Sequence, residues 1–242
     1  VRRLRSCFVL WAGLPMVLSN WGALEEAGLA NAVTSLANIP LMILSPLAFV
    51  LLPRLSLAQV DGQHDEVNEF LTRGVRSIWE LQWPVTLTLL LFLEPILNLW
   101  LGFSLPTFEH AGLWMVGSIP GVALFMFLRP ALNARAVIPY AVFAHLLGLI
   151  LAFGVVVMAT PTQSIWMLGL AFFGAHTLAA IVAGYACLRI HDLSFRPPLM
   201  RLLIQSAPLA LGAVLVTRLG MHSVSILIWL VALVAHVVIV HR

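Results

Sequence analysis

The sequence predicts an all-α fold, a polytopic bundle of about eight transmembrane helices. Three observations carry this. Of the 242 residues, 61% belong to the hydrophobic set and only 10% are charged, whereas soluble domains run near 45–50% and about 25%. Mean hydropathy is +1.01. Apolar runs recur at close to the ~20 residues that cross a bilayer core at 1.5 Å of rise per residue. The 13 basic residues, all arginine, collect in alternate loops between those runs. A soluble enzyme is excluded, and the runs must be helices because hydrocarbon leaves exposed backbone N–H and C=O groups unsatisfied.

Read between the charges, the spans fall near 7–24, 27–52, 81–101, 111–128, 137–160, 164–188, 202–217 and 223–240. The first carries Pro15 and Asn20, and the seventh is short with Pro208 inside it, so these two are the weakest spans. Loop arginines supply an independent test, because basic side chains are retained on the cytoplasmic side of short loops. With a cytoplasmic N-terminus, Arg218 alone falls outside, while Arg2, Arg3, Arg5, Arg54, Arg73, Arg76, Arg129, Arg135, Arg189, Arg196, Arg201 and Arg242 fall inside. An even number of spans also returns the C-terminus to the cytoplasm. Trp21, Trp79, Trp83, Trp100 and Trp166 lie near the expected interfaces, where amphipathic rings settle at headgroup level; lining of an aromatic substrate cavity is the rival reading.

Within the single domain, residues 1–242, one interval has soluble-like composition: residues 54–80, expected to be cytoplasmic. Asp61 and Gly62 mark a turn. Val67, Phe70, Leu71, Val75 and Ile78 then recur at three-to-four spacing with charges between them, which predicts an amphipathic helix lying along the inner interface and running into the third span. Glu69 and Arg73 form an acid-before-base pair at four-residue spacing.

Polar residues and breakers inside spans are the candidate functional positions. The second span holds Asn31, Thr34, Ser35, Asn38, Pro40, Ser45 and Pro46. Bends are expected near Pro40 and Pro46, since an interior proline frees a carbonyl that then needs another partner, and broken helices of this kind often line transporter cavities. Asn38, Pro40 and Pro46 are therefore cavity or hinge candidates, together with Glu94 and Asn98 near the outer end of the third span. An ionised Glu94 must face water or a partner, and a local polar network with Asn98 is the alternative. Arg129 and Arg135 flank the turn between the fourth and fifth spans and are suited to bidentate contact with a headgroup or pyrophosphate, although topology alone would place arginines there. His145 and His176 are weak proton-relay candidates, and His236 a weaker one. Cys7 and Cys187 have no CxxC partner. No HExxH, GxSxG or phosphate-cradling glycine loop occurs, so no catalytic residue, cofactor or metal is expected. Nor is any basic patch for nucleic acid.

The stretch 30–80, ANAVTSLANIPLMILSPLAFVLLPRLSLAQVDGQHDEVNEFLTRGVRSIWE, followed by LFLEPILNLWLGF and FLRPALNARAVIP, resembles the polysaccharide and lipid-linked oligosaccharide flippases of the multidrug/oligosaccharidyl-lipid/polysaccharide exporter superfamily. The likeness rests on an apolar helix ending in a PRLS turn at 53–56, an acidic-to-basic cytoplasmic helix, an EPIL…G pattern at 94–102 and an LR…L.A segment at 128–134, and covers roughly residues 27–140. It implies one lobe, plus the following helices, of a two-lobe alternating-access transporter. The implied activity is transport of an undecaprenyl-pyrophosphate-linked oligosaccharide across the bacterial inner membrane, as a truncated product or half-transporter needing a partner lobe or a second copy. Membrane lipid and the lipid-linked glycan are the implied partners. A cation-coupled multidrug or small-solute exporter of the same superfamily is the nearest alternative, distinguished by an enclosed ion site around Asn38 and Glu94. A non-transport membrane scaffold or inactive fragment is the other.

Overall fold

A computed structural model describes residues 15–20, 24–62, 64–102, 106–135, 139–158, 165–191, 212 and 222–240, and these are helical with no strand. After a helical segment at 15–20 come α1 (Leu24–Val60), α2 (His64–Leu101), α3 (Pro106–Gly117), α4 (Ile119–Arg135), α5 (Tyr140–Met158), α6 (Ile165–His191) and α7 (His222–Val240). The first and seventh expected spans fall largely outside the described residues. Four helical stretches are long and apolar enough to cross a membrane: Asp65–Leu101, Ala111–Ala134, Tyr140–Met158 and Trp166–Ile190. They correspond to the third to sixth expected spans. The chain is an all-α bundle built as a membrane protein.

Local chemistry sets the breaks. Gly62 and Gly102 take left-handed backbone conformations, φ 73° and 76°, which cost glycine little because it has no Cβ. The first closes the α1–α2 hairpin, where the Asp61 N–H donates to the Leu57 carbonyl at 3.0 Å; the second ends α2, where the Gly102 N–H donates to the Asn98 carbonyl at 2.9 Å. Between α3 and α4, both the backbone N–H (3.1 Å) and the hydroxyl (2.6 Å) of Ser118 donate to the Met115 carbonyl. Pro120 follows in the first turn of α4, where a missing N–H is tolerated.

Helices α4 and α6 form the centre. Helix α4 packs against α1, α2 and α6, while α6 also carries α3 and α5. Small residues let these backbones approach, as expected where lipid provides no hydrophobic drive between helices: α6 buries Ala175, Ala179, Ala183 and Ala186. A Cβ on Gly169 would stand 2.6 Å from the Ala111 carbonyl oxygen, and one on Gly148 2.7 Å from that of Ala175. The α3–α4 pair and α6 run parallel, since Gly169 meets Ala111, Phe173 meets Trp114, His176 meets Gly121 and the Cys187 thiol donates to the Leu128 carbonyl. Helix α7 sits against the middle of α2, where the Trp229 indole N–H donates to the Thr88 hydroxyl at 2.9 Å.

One expectation about an individual element is revised. The PRLS segment at 53–56 does not end its helix; α1 continues to Val60. The amphipathic stretch forms the first turns of α2, which runs unbroken through Glu80 into the third expected span. Its apolar stripe packs into protein, with Val67, Leu71 and Ile78 in the same core as Leu55 and Leu128, and Phe70, 40% exposed, against Phe127. The described non-helical residue is Phe92 of α2, φ −116° and ψ 16°, three residues before Pro95, whose ring and missing N–H disturb the preceding turn. Helix α1 includes Pro40 and Pro46 within its range.

Candidate functional site

The polar residues of α1 divide between two faces. Thr34 is buried and its hydroxyl donates to the Ala30 carbonyl at 2.7 Å. Asn31 and Ser35 are exposed and Asn38 is partly exposed, at spacings of four and three that place all three on one side of the helix. With exposed Gly28 they form a polar stripe, bounded by Leu24 at one end and by Ile39 and Met42 at the other. The Ser35 hydroxyl donates to the Asn31 carbonyl at 2.9 Å, so both amide side chains project from a helix whose own hydroxyl is satisfied. Pro40 is buried instead, and its carbonyl accepts a hydrogen bond from Gln82 Nε2 of α2 at 3.3 Å. This ties the hairpin together. The side chain of Pro46 lies outside the described residues.

On α2, Glu94, Pro95 and Asn98 are exposed, and Leu99 is 90% exposed, while Leu93 and Leu97 face the core. Among the described residues no hydrogen bond joins Glu94 to Asn98. The two are open to whatever surrounds the bundle. Arg129 is partly buried near the end of α4, engaged with neighbours, and the Arg135 side chain lies outside the described residues. Arg73 pairs with Glu69, and Arg76 with Glu80 at 2.7 Å, which places both basic groups on α2's own surface.

His145 and His176 come together in the α4–α5–α6 interior. His145 lies against the Phe125 ring with centroids 4.6 Å apart and His176 against Phe172 at 4.4 Å, and Nδ1 of His176 is 2.8 Å from the Phe172 carbonyl oxygen. Both are buried, and His236 is buried on α7. Among the described residues no group of three or more His, Cys, Asp or Glu side chains could hold a metal.

A cavity among the described residues is apolar. A cleft of about 620 Å³ lies between α2, α3 and α6, lined by Trp83, Thr86, Leu90, Leu113, Trp114, Gly117, Trp166 and Phe173. Trp83 and Trp166, expected as interfacial anchors, are wall residues, joined by Trp114 and Phe173, whose ring centroids are 5.2 Å apart. Trp114, Phe173 and Thr86 were not singled out by the sequence. The spacing of Trp79, Gln82, Trp83, Thr86 and Leu90, at i, i+3, i+4, i+7 and i+11, is the helical-face signal that could have found part of the wall. Along it Trp79 Nε1, Gln82 Oε1 and Thr86 Oγ1 are buried without a hydrogen-bond partner. Each such group costs about 1–3 kcal/mol unless something supplies a partner.

Fold and surfaces together define a helical membrane protein that displays two unlike lateral features, a polar stripe and an aromatic cleft. No protein-family model, curated protein or solved structure matches the chain.

Proposed function

We propose that this chain is a flippase-like transport component that forms one wall of a path for a lipid-linked oligosaccharide across the bacterial inner membrane, with both termini cytoplasmic and the second wall supplied by a partner lobe or another copy. The observation that carries this reading is the stripe of Asn31, Ser35 and Asn38 on an exposed side of α1. A glycan cannot shed its water into hydrocarbon without several kcal/mol per unpaired polar group, so a path must offer hydrogen-bonding side chains on a helix face that lipid does not cover. Glu94 and Asn98 of α2 are exposed polar residues as well. The stripe lies on an open face, which favours action in an assembly over action alone. The sequence resemblance supplies the substrate class.

Water access tests it. In a Cys7→Ser background, cysteines at Asn31, Ser35 and Asn38 should react with a membrane-impermeant thiol reagent in intact vesicles, while cysteines at Val142 and Ile150 should not. Equal protection of both sets would overturn the reading. In vesicles holding the active assembly, Asn31→Leu with Asn38→Leu should lower translocation of a fluorescent undecaprenyl-pyrophosphate glycan at least tenfold.

A further inference from the structure

We infer that Arg189 and Tyr185, toward the end of α6, hold the phosphodiester of one anionic glycerophospholipid of the phosphatidylglycerol type, with Ile181 lying under its acyl chain. The inference needs only a helical bundle in a bilayer and does not depend on the transport reading. Helix α6 is central, packed by α3, α4 and α5. Its exposed described side chains are few: Trp166 near the start, then Ile181, Tyr185 and Arg189. The last three stand at i, i+4 and i+8 and so share one side of the helix, each about 6 Å beyond the one before at 1.5 Å of rise per residue. Ile181 and Tyr185 are 62% and 57% exposed. An apolar side chain, an amphipathic ring and a cation follow the order of a lipid from chain to phosphate. They occupy the last turns of the apolar stretch Trp166–Ile190, where a span meets the headgroups.

Arg189 is prepared for an anion. Its Nε donates to the Tyr185 hydroxyl at 3.1 Å, and its guanidinium carbon lies 5.4 Å from the Tyr185 ring centroid, within cation–π range. That hold orients the fork and leaves the N–H groups of both terminal nitrogens, which match two oxygens of a phosphate. The Tyr185 oxygen accepts from Arg189, so its own O–H remains to donate to the same group. Among the described residues no carboxylate pairs with Arg189, whereas Arg73 and Arg76 are paired with Glu69 and Glu80. Charge selects the headgroup. From Ala111 to His191 the chain has no Asp or Glu, so the ammonium of a zwitterionic lipid would find no acid on α4, α5 or α6, while a lipid of net negative charge needs none. The helix dipole at the end of α6 favours the guanidinium and offers the phosphate nothing, which puts the charge attraction on Arg189.

The test is photo-crosslinking of the full chain in phosphatidylcholine vesicles doped with a trace of a lipid that carries a diazirine in the upper half of one acyl chain, with either a phosphatidylglycerol or a phosphatidylcholine headgroup. The phosphatidylglycerol probe should label residues 181–185 at least fivefold more than the phosphatidylcholine probe, while the two label Leu147 and Ile150 of α5 equally. Arg189→Gln should bring the phosphatidylglycerol probe down to the phosphatidylcholine level at 181–185. Arg189→Lys, which keeps the charge and loses the fork, should retain part of the preference, and Tyr185→Phe should lower it two- to threefold. Inorganic phosphate, added at constant ionic strength, should leave the preference intact. Equal labelling of 181–185 by the two probes in the unmodified protein overturns the inference, as does a preference that survives Arg189→Gln or one that free phosphate abolishes. The comparison of the two probes needs no variant to fold.

Discussion

Helices α1 and α5 each present one side to the surroundings of the bundle, and the two sides differ in kind. Around α5 the exposed residues include Val142, Phe143, Leu147, Ile150, Phe153 and Val157, with Ala141, Ala144, His145 and Gly148 turned inward. Around α1 the exposed middle is Gly28, Asn31 and Ser35, with Asn38 beside them. Exposure alone therefore does not say what a membrane helix meets. An all-apolar side is matched to acyl chains, whereas two amides and a hydroxyl on the open side of a helix in an apolar bundle call for water or a polar partner.

The sharpest way to break the comparison is a charge placed on each side. Leu147→Arg should cost about 2.5–3.5 kcal/mol near the middle of a lipid-facing helix, read as loss of inserted protein in a protease-protection assay, while Ser35→Arg should lower insertion at least fivefold less. Equal losses would mean that both faces meet lipid. Next in size, Gly148→Leu should destabilise by about 1–3 kcal/mol through overpacking, because a Cβ placed there would stand 2.7 Å from the Ala175 carbonyl oxygen. Gly154→Leu on the same helix, where a Cβ meets nothing within 4 Å, should leave the thermal midpoint in detergent nearly unchanged. Smallest is Gln82→Leu, which deletes the link to Pro40 and should cost no more than about 1 kcal/mol, since hydrogen bonds between membrane helices average about 0.6 kcal/mol.

Much of the architecture was legible in the sequence because helix existence in a membrane follows from apolar run length. The third to sixth spans are long apolar helices, and the Asp61–Gly62 turn is where the residues put it. Lateral arrangement was less legible. Thr34 and Ser35 are neighbours in a polar-looking span, yet one faces the core and the other does not, and only helical phase separates them. Trp83 and Trp166 read as interfacial anchors because each run was judged alone; their shared cleft exists only once α2 and α6 are placed on either side of α3. Bends are expected near Pro40 and Pro46, where composition draws attention; the non-helical residue at Phe92, three residues before Pro95, was not legible in the same way.

The lapse at Phe92 leaves the seam of α2 in phase. Ile78, Gln82 and Thr86 below it and Leu93 and Leu97 above it all turn toward the interior, at steps that a helical face keeps. Glu94 and Asn98, which follow Phe92, therefore keep the register of the turns before it, and both stay on the exposed side of α2 while Leu93 and Leu97 stay inside.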